Sequence, residues 1–372
     1  MSKKIYLVAF MTCLFVSFYN VIKYYNDNSL SMFKDIDSIE SNVESAISQD
    51  NTLKEIYGLV NLAISPKEIE NTVKDEDGFL LPITNTEFDV VTAADNIAKL
   101  RDECEKNGVD FAYISYPSKN MSDDYMSDYY INGDNEELRT TFLNEIEKNG
   151  VDILDIRRLM EEQGYSNKDI FYKTDHHWNT RSGLYAAREI SKYINDEYGY
   201  KTYTENLDED KLVFKEYTNA WFGETGRKLS KTWVGALDDF TLIKPNYDTS
   251  FEYIITGVSN KSGDFSLLLD ESMLGTEYDL YTTDLHYSYM PDVDLNTVVQ
   301  NKNINDGAKI LIVRDSFSIV VVPFLSLTCS EVNMWDMRNN TESLYEYIKN
   351  NDFDMVIVAY TDYWSDEMYS FY

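Results

Sequence analysis

The chain has 372 residues, enough for one large domain or two small ones. Its formal net charge of −32 excludes nucleic acids and anionic surfaces as expected partners, because their phosphates would be repelled. Hydrophobic residues make up 43% of the chain, which is ample for a packed core beneath a strongly acidic, soluble surface.

The N-terminal segment predicts a membrane anchor. Lys3 and Lys4 precede residues 5–22, an uncharged stretch of about the minimum length for a spanning helix. The segment offers no small residues suited to signal cleavage, and the residues before Cys13 do not suit a lipoprotein. We expect residues 1–26 to form a cytoplasmic tip and an uncleaved signal anchor in the cell membrane, with the rest of the chain outside the cytoplasm. A cleaved signal peptide stays open as the alternative.

Residues 27–85 predict a membrane-proximal helical segment. Ile36, Ile39 and Val43 recur at helical spacing among polar and acidic residues. A break at Pro66 predicts a second short helix that begins there. We expect the apolar stripe to pack on the following domain.

From residue 86 to residue 372, apolar strands alternate with amphipathic helices. The predicted strands are 109–116, 151–154, 309–313, 332–335 and 355–359, and the predicted helices are 93–106, 136–148, 180–195, 342–350 and a helix after Ser316. This alternation predicts an α/β fold with a doubly wound parallel sheet covered on both faces. Residues 199–300 break the rhythm and predict a partly β insertion.

Two of the three histidines of the chain stand in the run Asp175-His176-His177-Trp178. Histidine is the usual proton shuttle near neutral pH. An Asp two residues before a His can bond to the ring nitrogen that takes no part in the chemistry, which fixes the tautomer and stabilises the imidazolium. The motif therefore predicts a general base and requires a nucleophile elsewhere in the chain.

Ser316 is the candidate nucleophile, because it follows directly on the predicted strand 309–313. A serine at a helix start is commonly a simple N-cap, but there the backbone N–H groups can also stabilise an oxyanion. The histidine motif in the same chain favours the nucleophile. The surroundings lack the Gly-x-Ser-x-Gly pattern, which disfavours an α/β-hydrolase elbow. Pro117 and Lys119 follow the strand that ends at Tyr116, so we expect them at the same sheet edge.

These motifs together resemble a known family. The run from Thr174 to Asn179 resembles the signature of the DHHW proteins, an SGNH-hydrolase-like group related to the catalytic domains of the alginate O-acetyltransferases. Further blocks match in order, namely Lys74–Leu80, Tyr116–Lys119, Asn219–Arg227, Asp315–Phe317 and Asp336–Arg338. The resemblance spans residues 55–365, and the order Asp, His, Ser is the one expected for this group.

The resemblance implies an extracytoplasmic, serine-dependent O-acetyltransferase that acts on an exopolysaccharide or a cell-wall polymer. It implies Ser316 as the nucleophile, His177 as the base and Asp175 as the residue that orients it, with His176 at a variable position. Candidate substrate or oxyanion contacts are Lys119, Pro117, Arg338, Trp178 and Trp221. The resemblance also implies a membrane-bound O-acyltransferase as a partner that supplies the acetyl group, and no cofactor.

Several alternatives stay open. The same site would serve an O-acetyl esterase, and a carbohydrate-binding or assembly protein could keep the fold without catalysis. Asp175, His176, His177 and His286 can be written as metal ligands, but adjacent histidines usually diverge, so no metal is expected. Arg338 either contacts substrate or pairs with a neighbouring carboxylate.

The cysteines give no firm prediction of a disulfide. Cys104 falls on a predicted helix, and Cys329 lies just before a predicted strand. A location outside the cytoplasm permits a bond between them, but their distance in sequence leaves the pairing open. We treat both as small buried side chains.

Overall fold

The computed structural model describes residues 51–64, 68–83, 88–119, 133–274, 279–291, 296–340, 342–361 and 366–371, together with residues 19 and 23. The predicted anchor, residues 1–26, falls outside this part of the chain except for those two residues. None of the helices in the described part combines the length and the apolar character needed to cross a bilayer.

The described residues form three β-sheets and a set of mostly short helices. The strands are β1 (Glu68–Ile69), β2 (Thr72–Lys74), β3 (Leu80–Pro82), β4 (Asp110–Tyr116), β5 (Ile153–Asp155), β6 (Leu212–Trp221), β7 (Asp238–Pro245), β8 (Phe251–Ile255), β9 (Ser259–Gly263), β10 (Thr297–Asn301), β11 (Lys309–Arg314), β12 (Glu331–Trp335) and β13 (Met355–Thr361). The α-helices are α1 (Asn51–Ile64), α2 (Val90–Lys106), α3 (Gly133–Lys148), α4 (Ile156–Glu162), α5 (Asn167–Ile170), α6 (Thr180–Tyr198), α7 (Glu224–Lys228), α8 (Lys231–Val234), α9 (Val322–Leu325) and α10 (Leu344–Lys349).

The main sheet has the strand order β5-β4-β13-β11-β12-β10-β8-β9. The first five strands are mutually parallel, and each was predicted from its apolar run. The last three pair antiparallel, so the sheet is mixed, and the predicted parallel sheet is confirmed for its first five strands. The difference arises because β8, β9 and β10 come from the predicted partly β insertion, which extends the sheet at one edge.

The side chains of the central strands alternate between two cores, as the period of two along a strand requires. On β11, Ile310 and Ile312 enter the core beneath α6 and α9. Leu311 and Val313 enter the core beneath α2, α3 and α10. Helices therefore cover both faces of the parallel part of the sheet, as predicted from the sequence.

Residues 68–82 are not a second short helix. They form the antiparallel sheet β1-β2-β3, in which Glu70 and Asn71 make a two-residue turn with positive φ angles of 48° and 55°. A second turn forms at Asp75, whose carboxylate accepts the backbone N–H of Phe79 at 2.8 Å. Local hydrogen bonds of this kind let Asp favour turns over helix. The preceding helix α1 agrees with the predicted helical character of this region.

The chain after Ser316 is more irregular than the predicted helix. A 3-10 turn spans Ser316–Val320, and the short helix α9 follows, with a proline near its first turn. Asp315 caps the turn, because its side chain accepts the backbone N–H of Phe317 at 2.9 Å. The two described cysteines, Cys104 and Cys329, are buried free thiols.

Candidate active site

The candidate site lies at the carboxyl ends of four neighbouring parallel strands. Lys119 follows β4, Ser316 follows β11, Asp336 follows β12, and Thr361 is the last residue of β13. Parallel strands present their carboxyl ends at one edge of the sheet, which is where ligands bind in such folds. The strand positions thus bring together groups that lie far apart in sequence.

Ser316, His177 and Asp175 form a continuous chain of hydrogen bonds. Ser316 Oγ lies 2.8 Å from His177 Nε2, and Asp175 Oδ1 lies 2.7 Å from His177 Nδ1. Because the carboxylate accepts the Nδ1 proton, the neutral ring leaves Nε2 free to accept a proton from the serine hydroxyl. The geometry predicted for these three residues is confirmed.

The Asp175 carboxylate is fully buried and fully hydrogen-bonded. Besides the ring of His177, it accepts the backbone N–H of His177 at 2.8 Å and the backbone N–H of Glu224 at 2.6 Å. Burial by itself would raise the pKa of Asp175, but His177, His176 and the hydrogen bonds hold that pKa well below its usual value. Asp175 is therefore ionised and fixes the orientation of His177.

A second buried carboxylate, Asp238 at the start of β7, holds the loop that carries the motif. It accepts the backbone N–H groups of Lys173 and Thr174, and also the Thr174 hydroxyl at 2.5 Å. The Thr174 hydroxyl in turn accepts the backbone N–H of Gly223 at 2.7 Å. The inserted segment and the motif loop are thus joined by buried hydrogen bonds on either side of Asp175.

Gly223 permits the closest approach of these two segments. A Cβ atom at this position would lie 2.3 Å from the Cβ and 2.6 Å from the Cα of Asp175. Contacts this short do not occur between real side chains and main chain, so any other residue would push the segments apart. Only glycine lets the next residue, Glu224, bring its backbone N–H to the Asp175 carboxylate.

Lys119 supports the motif loop from below. Its Nζ donates to the carbonyl oxygens of Tyr172, Lys173 and Asp175 at 2.5, 2.9 and 2.8 Å. Burial lowers the pKa of Lys119 to about 7, while Asp238 and Asp175 act in the opposite direction. Three carbonyl acceptors use all three N–H donors of the charged form. Lys119 also lines the cavity beside Ser316, so its expected contact with substrate stays a prediction, while the contacts seen here are with the motif loop.

The two tryptophans expected at the substrate are both buried. Trp178 Nε1 donates to the carbonyl of Phe317 at 3.0 Å, so this ring holds the turn after Ser316. Trp221 packs edge-on against Tyr172, with ring centroids 4.7 Å apart. Both rings are buried in this structure, so contact of either ring with a sugar stays a prediction that the exposed surface does not support.

Arg338 forms the ion pair that the sequence left open. Its Nε and Nη2 atoms lie 2.9 and 2.7 Å from the two carboxylate oxygens of Asp336. Arg314 also contacts Asp336 at 3.0 Å from the other side. The side chain of Arg338 stays half exposed, so it is both a partner of Asp336 and part of the surface near Ser316.

A cavity of about 600 Å³ opens beside Ser316, a size suited to a small ligand or part of a polymer. Its wall includes Glu70, Asn71, Glu224, Lys228, Arg338 and Glu367. His176 also faces it, with 37% of its side chain exposed. Pro117 is buried and does not line the cavity, so its expected contact with substrate stays a prediction.

All three histidines of the chain meet at this site, with His286 stacked on His177 and His176 tilted against it. The rings of His177 and His286 lie 3.7 Å apart with an angle of 12°, and the rings of His176 and His177 lie 3.8 Å apart. His286 Nε2 also donates to the carbonyl of Ser316 at 2.9 Å. The sequence suggested His286 only as a hypothetical metal ligand, and its one signal for a role at this site is that histidine is scarce in the chain.

The electrostatic setting of His177 favours its neutral form. Burial, together with His176 and His286, lowers the pKa of His177 well below its ordinary value, and only Asp175 acts in the opposite direction. A neutral imidazole is the form that can accept a proton from Ser316. The site is therefore arranged as a base at neutral pH.

The same residues make a poor metal site. Ligand atoms of Asp175, His176 and His177 lie within 4.8 Å of one another. Both ring nitrogens of His177 are already engaged, one by Asp175 and one by Ser316. A metal bound there would break the hydrogen-bond chain, so the arrangement fits proton transfer better than coordination.

Part of the chain is similar in sequence to a domain of a known acetyltransferase. Residues 82–222 match the family model of the SGNH hydrolase-like domain of the acetyltransferase AlgX. That range includes Asp175 and His177 and ends before Ser316. The sequence has no significant match among curated proteins.

Solved structures share the fold. Bacillus cereus PatB1 superposes with a TM-score of 0.63 at 20% identity, over 81% of this chain and 99% of that one. PatB1 has also been solved with a sulfonyl adduct, which gives a TM-score of 0.62 at 19% identity, over 82% of this chain and 98% of that one. A DHHW family protein from Eubacterium siraeum gives a TM-score of 0.58 at 17% identity, over 81% and 95% of the two chains. Residues 82–222 are thus similar to the SGNH hydrolase-like domain of the acetyltransferase AlgX, and the chain as a whole shares its fold with PatB1 and with the DHHW family protein.

Proposed function

We propose that the protein is a serine-dependent O-acetyltransferase that acts on a polysaccharide. The observation that carries the proposal is the hydrogen-bond chain from Ser316 through His177 to Asp175, which opens onto a cavity. The relationship of residues 82–222 to the domain of an acetyltransferase supports acyl transfer as the reaction. A sugar hydroxyl is the acceptor that distinguishes this function from ester hydrolysis.

The first half-reaction loads the enzyme. Ser316 Oγ attacks the carbonyl carbon of an acetyl donor while His177 Nε2 takes the hydroxyl proton, and Asp175 stabilises the imidazolium that results. The backbone N–H of Ser316 is a candidate donor to stabilise the oxyanion of the tetrahedral intermediate. His177 then gives its proton to the leaving group, and the acetyl-serine ester remains.

The second half-reaction reverses these roles. A sugar hydroxyl enters the cavity, His177 takes its proton, and the oxygen attacks the acetyl carbon. The intermediate collapses, the acetylated sugar leaves, and the proton returns to Ser316. If water enters in place of the sugar, the same steps release acetate. Transfer therefore depends on how well the cavity holds the sugar.

Substitution of the three central residues tests the assignment. Ser316→Ala and His177→Ala should each lower the rate of acetate release from a small activated ester by about 10³- to 10⁶-fold, and the double variant should be little worse. Asp175→Asn should lower the rate less, because the nucleophile and the base remain. His176→Ala leaves the hydrogen-bond chain from Ser316 to Asp175 intact, so it should lower the rate far less than the other substitutions and serves as the comparison.

A sulfonyl fluoride should label Ser316, a choice of reagent suggested by the sulfonyl adduct of PatB1. Peptide mass spectrometry identifies the labelled residue. Labelling of a different residue, or full activity in Ser316→Ala, would contradict the assignment. Sugar binding that persists while none of these substitutions changes the rate would favour a binding protein.

The pH dependence follows from the neutral state of His177. Its pKa is lowered by burial and by the two neighbouring histidines, so the base stays unprotonated to a pH below 6.5. The value of kcat/KM for a small ester should therefore keep its plateau down to that range and fall only as the ring gains a proton. A profile measured from about pH 4.5 to 8.5 checks this. Half-maximal activity above pH 7 would contradict it.

We also propose an extracytoplasmic location at the cell membrane, with a membrane-bound O-acyltransferase as the source of acetyl groups. The motivation for the location is the charge pattern of Lys3 and Lys4 before the uncharged residues 5–22. The motivation for the partner is the resemblance to the alginate O-acetyltransferases. A C-terminal alkaline phosphatase fusion should be active, and a C-terminal fluorescent protein that folds only in the cytoplasm should be dark. The opposite pair of results would refute this topology.

A further inference from the structure

The charges around the cavity differ in whether they are already paired. The Nζ atom of Lys228 lies 2.5 Å from Oε1 of Glu224, and Arg338 donates two hydrogen bonds to the carboxylate of Asp336. Glu70 and Glu367 are exposed on the same wall, and neither forms an ion pair with any cation in the described part of the chain. The cavity therefore presents two carboxylates without an ion pair, whereas its exposed cations, Lys228 and Arg338, each contact a carboxylate already.

Glu70 also occupies a position that its residue type disfavours. It is the first residue of the two-residue turn between β1 and β2, with φ of 48°, and Asn71 follows with φ of 55°. Turns of this type prefer Asn-Gly, because a side chain such as Glu is strained at positive φ. The turn itself gives no reason for a glutamate, so the carboxylate at the cavity needs another explanation.

We propose that the acetyl acceptor is a glycan with free amino groups, whose ammonium groups bind Glu70 and Glu367. This inference rests on the transferase function proposed above and names its acceptor class. A polyuronate would meet two unpaired carboxylates on a protein of net charge −32, and would be repelled. An aminoglycan would instead gain two ion pairs close to the serine that carries the acetyl group.

Binding to the full-length Ser316→Ala protein tests the acceptor class without any need for turnover. Three probes are compared by calorimetry: a glucosamine oligomer, its fully N-acetylated form and an oligouronate of equal length. The glucosamine oligomer should bind about 3- to 30-fold more tightly than the N-acetylated oligomer, as two exposed ion pairs allow, and this advantage should shrink in high salt. Tighter binding of the oligouronate would overturn the proposal.

Glu70→Asn separates recognition from folding. Asn suits the turn better than Glu, so the melting temperature should stay equal or rise, while the preference for the glucosamine oligomer should fall. Glu367→Gln should weaken the preference independently, and Glu68→Gln, two residues before the turn, is the matched control. An unchanged preference in the double variant Glu70→Asn, Glu367→Gln would overturn the proposal. Loss of ester hydrolysis in the unmodified protein would instead count against the transferase function.

A different observation concerns His286. This residue is buried in a 3-10 turn that is capped by Asp284, whose side chain accepts the backbone N–H of His286. Asp284 is held by Arg227 of α7 at 2.6 Å, and the same helix begins with Glu224, whose N–H binds Asp175. Helix α7 therefore contacts both the carboxylate that binds His177 and the carboxylate that caps the turn of His286.

The contacts of His286 divide between its ring face and one nitrogen. Its face lies on His177 and its Nε2 donates to the Ser316 carbonyl, while Nδ1 is buried without a hydrogen-bond partner among the described residues. A buried, unpaired nitrogen is unfavourable, and a phenylalanine would avoid it. A histidine at this position therefore indicates that the bond to Ser316 matters.

We infer that His286 is a positioning residue for the reaction, and this inference also rests on the proposed function. Its Nε2 holds the main chain of Ser316 in place. Its ring packs on the ring of His177 and so holds that ring in its orientation. The arrangement needs the neutral tautomer with the proton on Nε2, because a carbonyl oxygen can only accept. His286 does not line the cavity, so it should affect the rate of chemistry and leave substrate binding unchanged.

Two substitutions separate the two contacts. His286→Phe keeps a ring face and loses the donor, and His286→Gln keeps a donor and loses the ring. Each should lower kcat for a small ester by about 10- to 100-fold with KM little changed, as expected for misplaced reacting groups. Tyr287→Phe, at the next residue, is the control. Values of kcat are expressed per site titrated by the sulfonyl fluoride, so that loss of folded protein does not count.

A nitrogen-15 NMR spectrum of the imidazoles provides a readout that is independent of turnover. Only three histidines contribute, so single substitutions assign every signal. His286 should show the neutral tautomer protonated at Nε2, and His286→Phe should shift the signals of His177. A His286 protonated at Nδ1, or a kcat per titrated site within about twofold of the unmodified protein in both variants, would overturn the inference.

Discussion

The site depends on keeping one carboxylate charged inside the protein. A buried, ionised Asp is unfavourable unless hydrogen bonds replace the water that it has lost, and Asp175 receives three of them, from two residues. Supplying the N–H of Glu224 requires the approach that Gly223 permits. Supplying the ring of His177 requires the loop that Asp238 and Lys119 hold. Much of the architecture around Ser316 can be understood as support for that single charge.

The segment between α6 and β10 completes this support. The parallel strands alone present Ser316 and the end of β4 at one edge, as in any sheet of this type. The inserted chain adds Asp238, which accepts hydrogen bonds from the motif loop. It also adds helix α7, which begins next to Asp175, and His286, which stacks on His177. The small sheet β1-β2-β3 closes the opposite wall of the cavity. The chemistry thus sits on the parallel strands, and the surroundings that tune it come from the irregular parts.

The predictable features were those with a strong local pattern. Near-continuous apolar runs identified β4, β11, β12 and β13, and the spacing of Asp175 and His177 predicted the hydrogen bond between their side chains. The sheet β1-β2-β3 was missed because its strands have two or three residues, too few for a period of two to appear. The role of Lys119 was missed because its partners are backbone carbonyls, which no sequence pattern displays. His286 was missed because its neighbours are set by tertiary packing alone.

The position of β13 has a consequence for how the protein reaches its folded state. This strand follows every other strand of the main sheet in the sequence, yet it lies between β4 and β11 and pairs with both. The segment after β4 and the segment after β11 both belong to the site. They cannot take up their relative positions until β13 has been synthesised and has paired with both strands. Contacts of such long sequence separation form slowly. An incomplete chain would hold the loop of His177 and the turn of Ser316 without joining them, so their hydrogen bond can form only once β13 is in place.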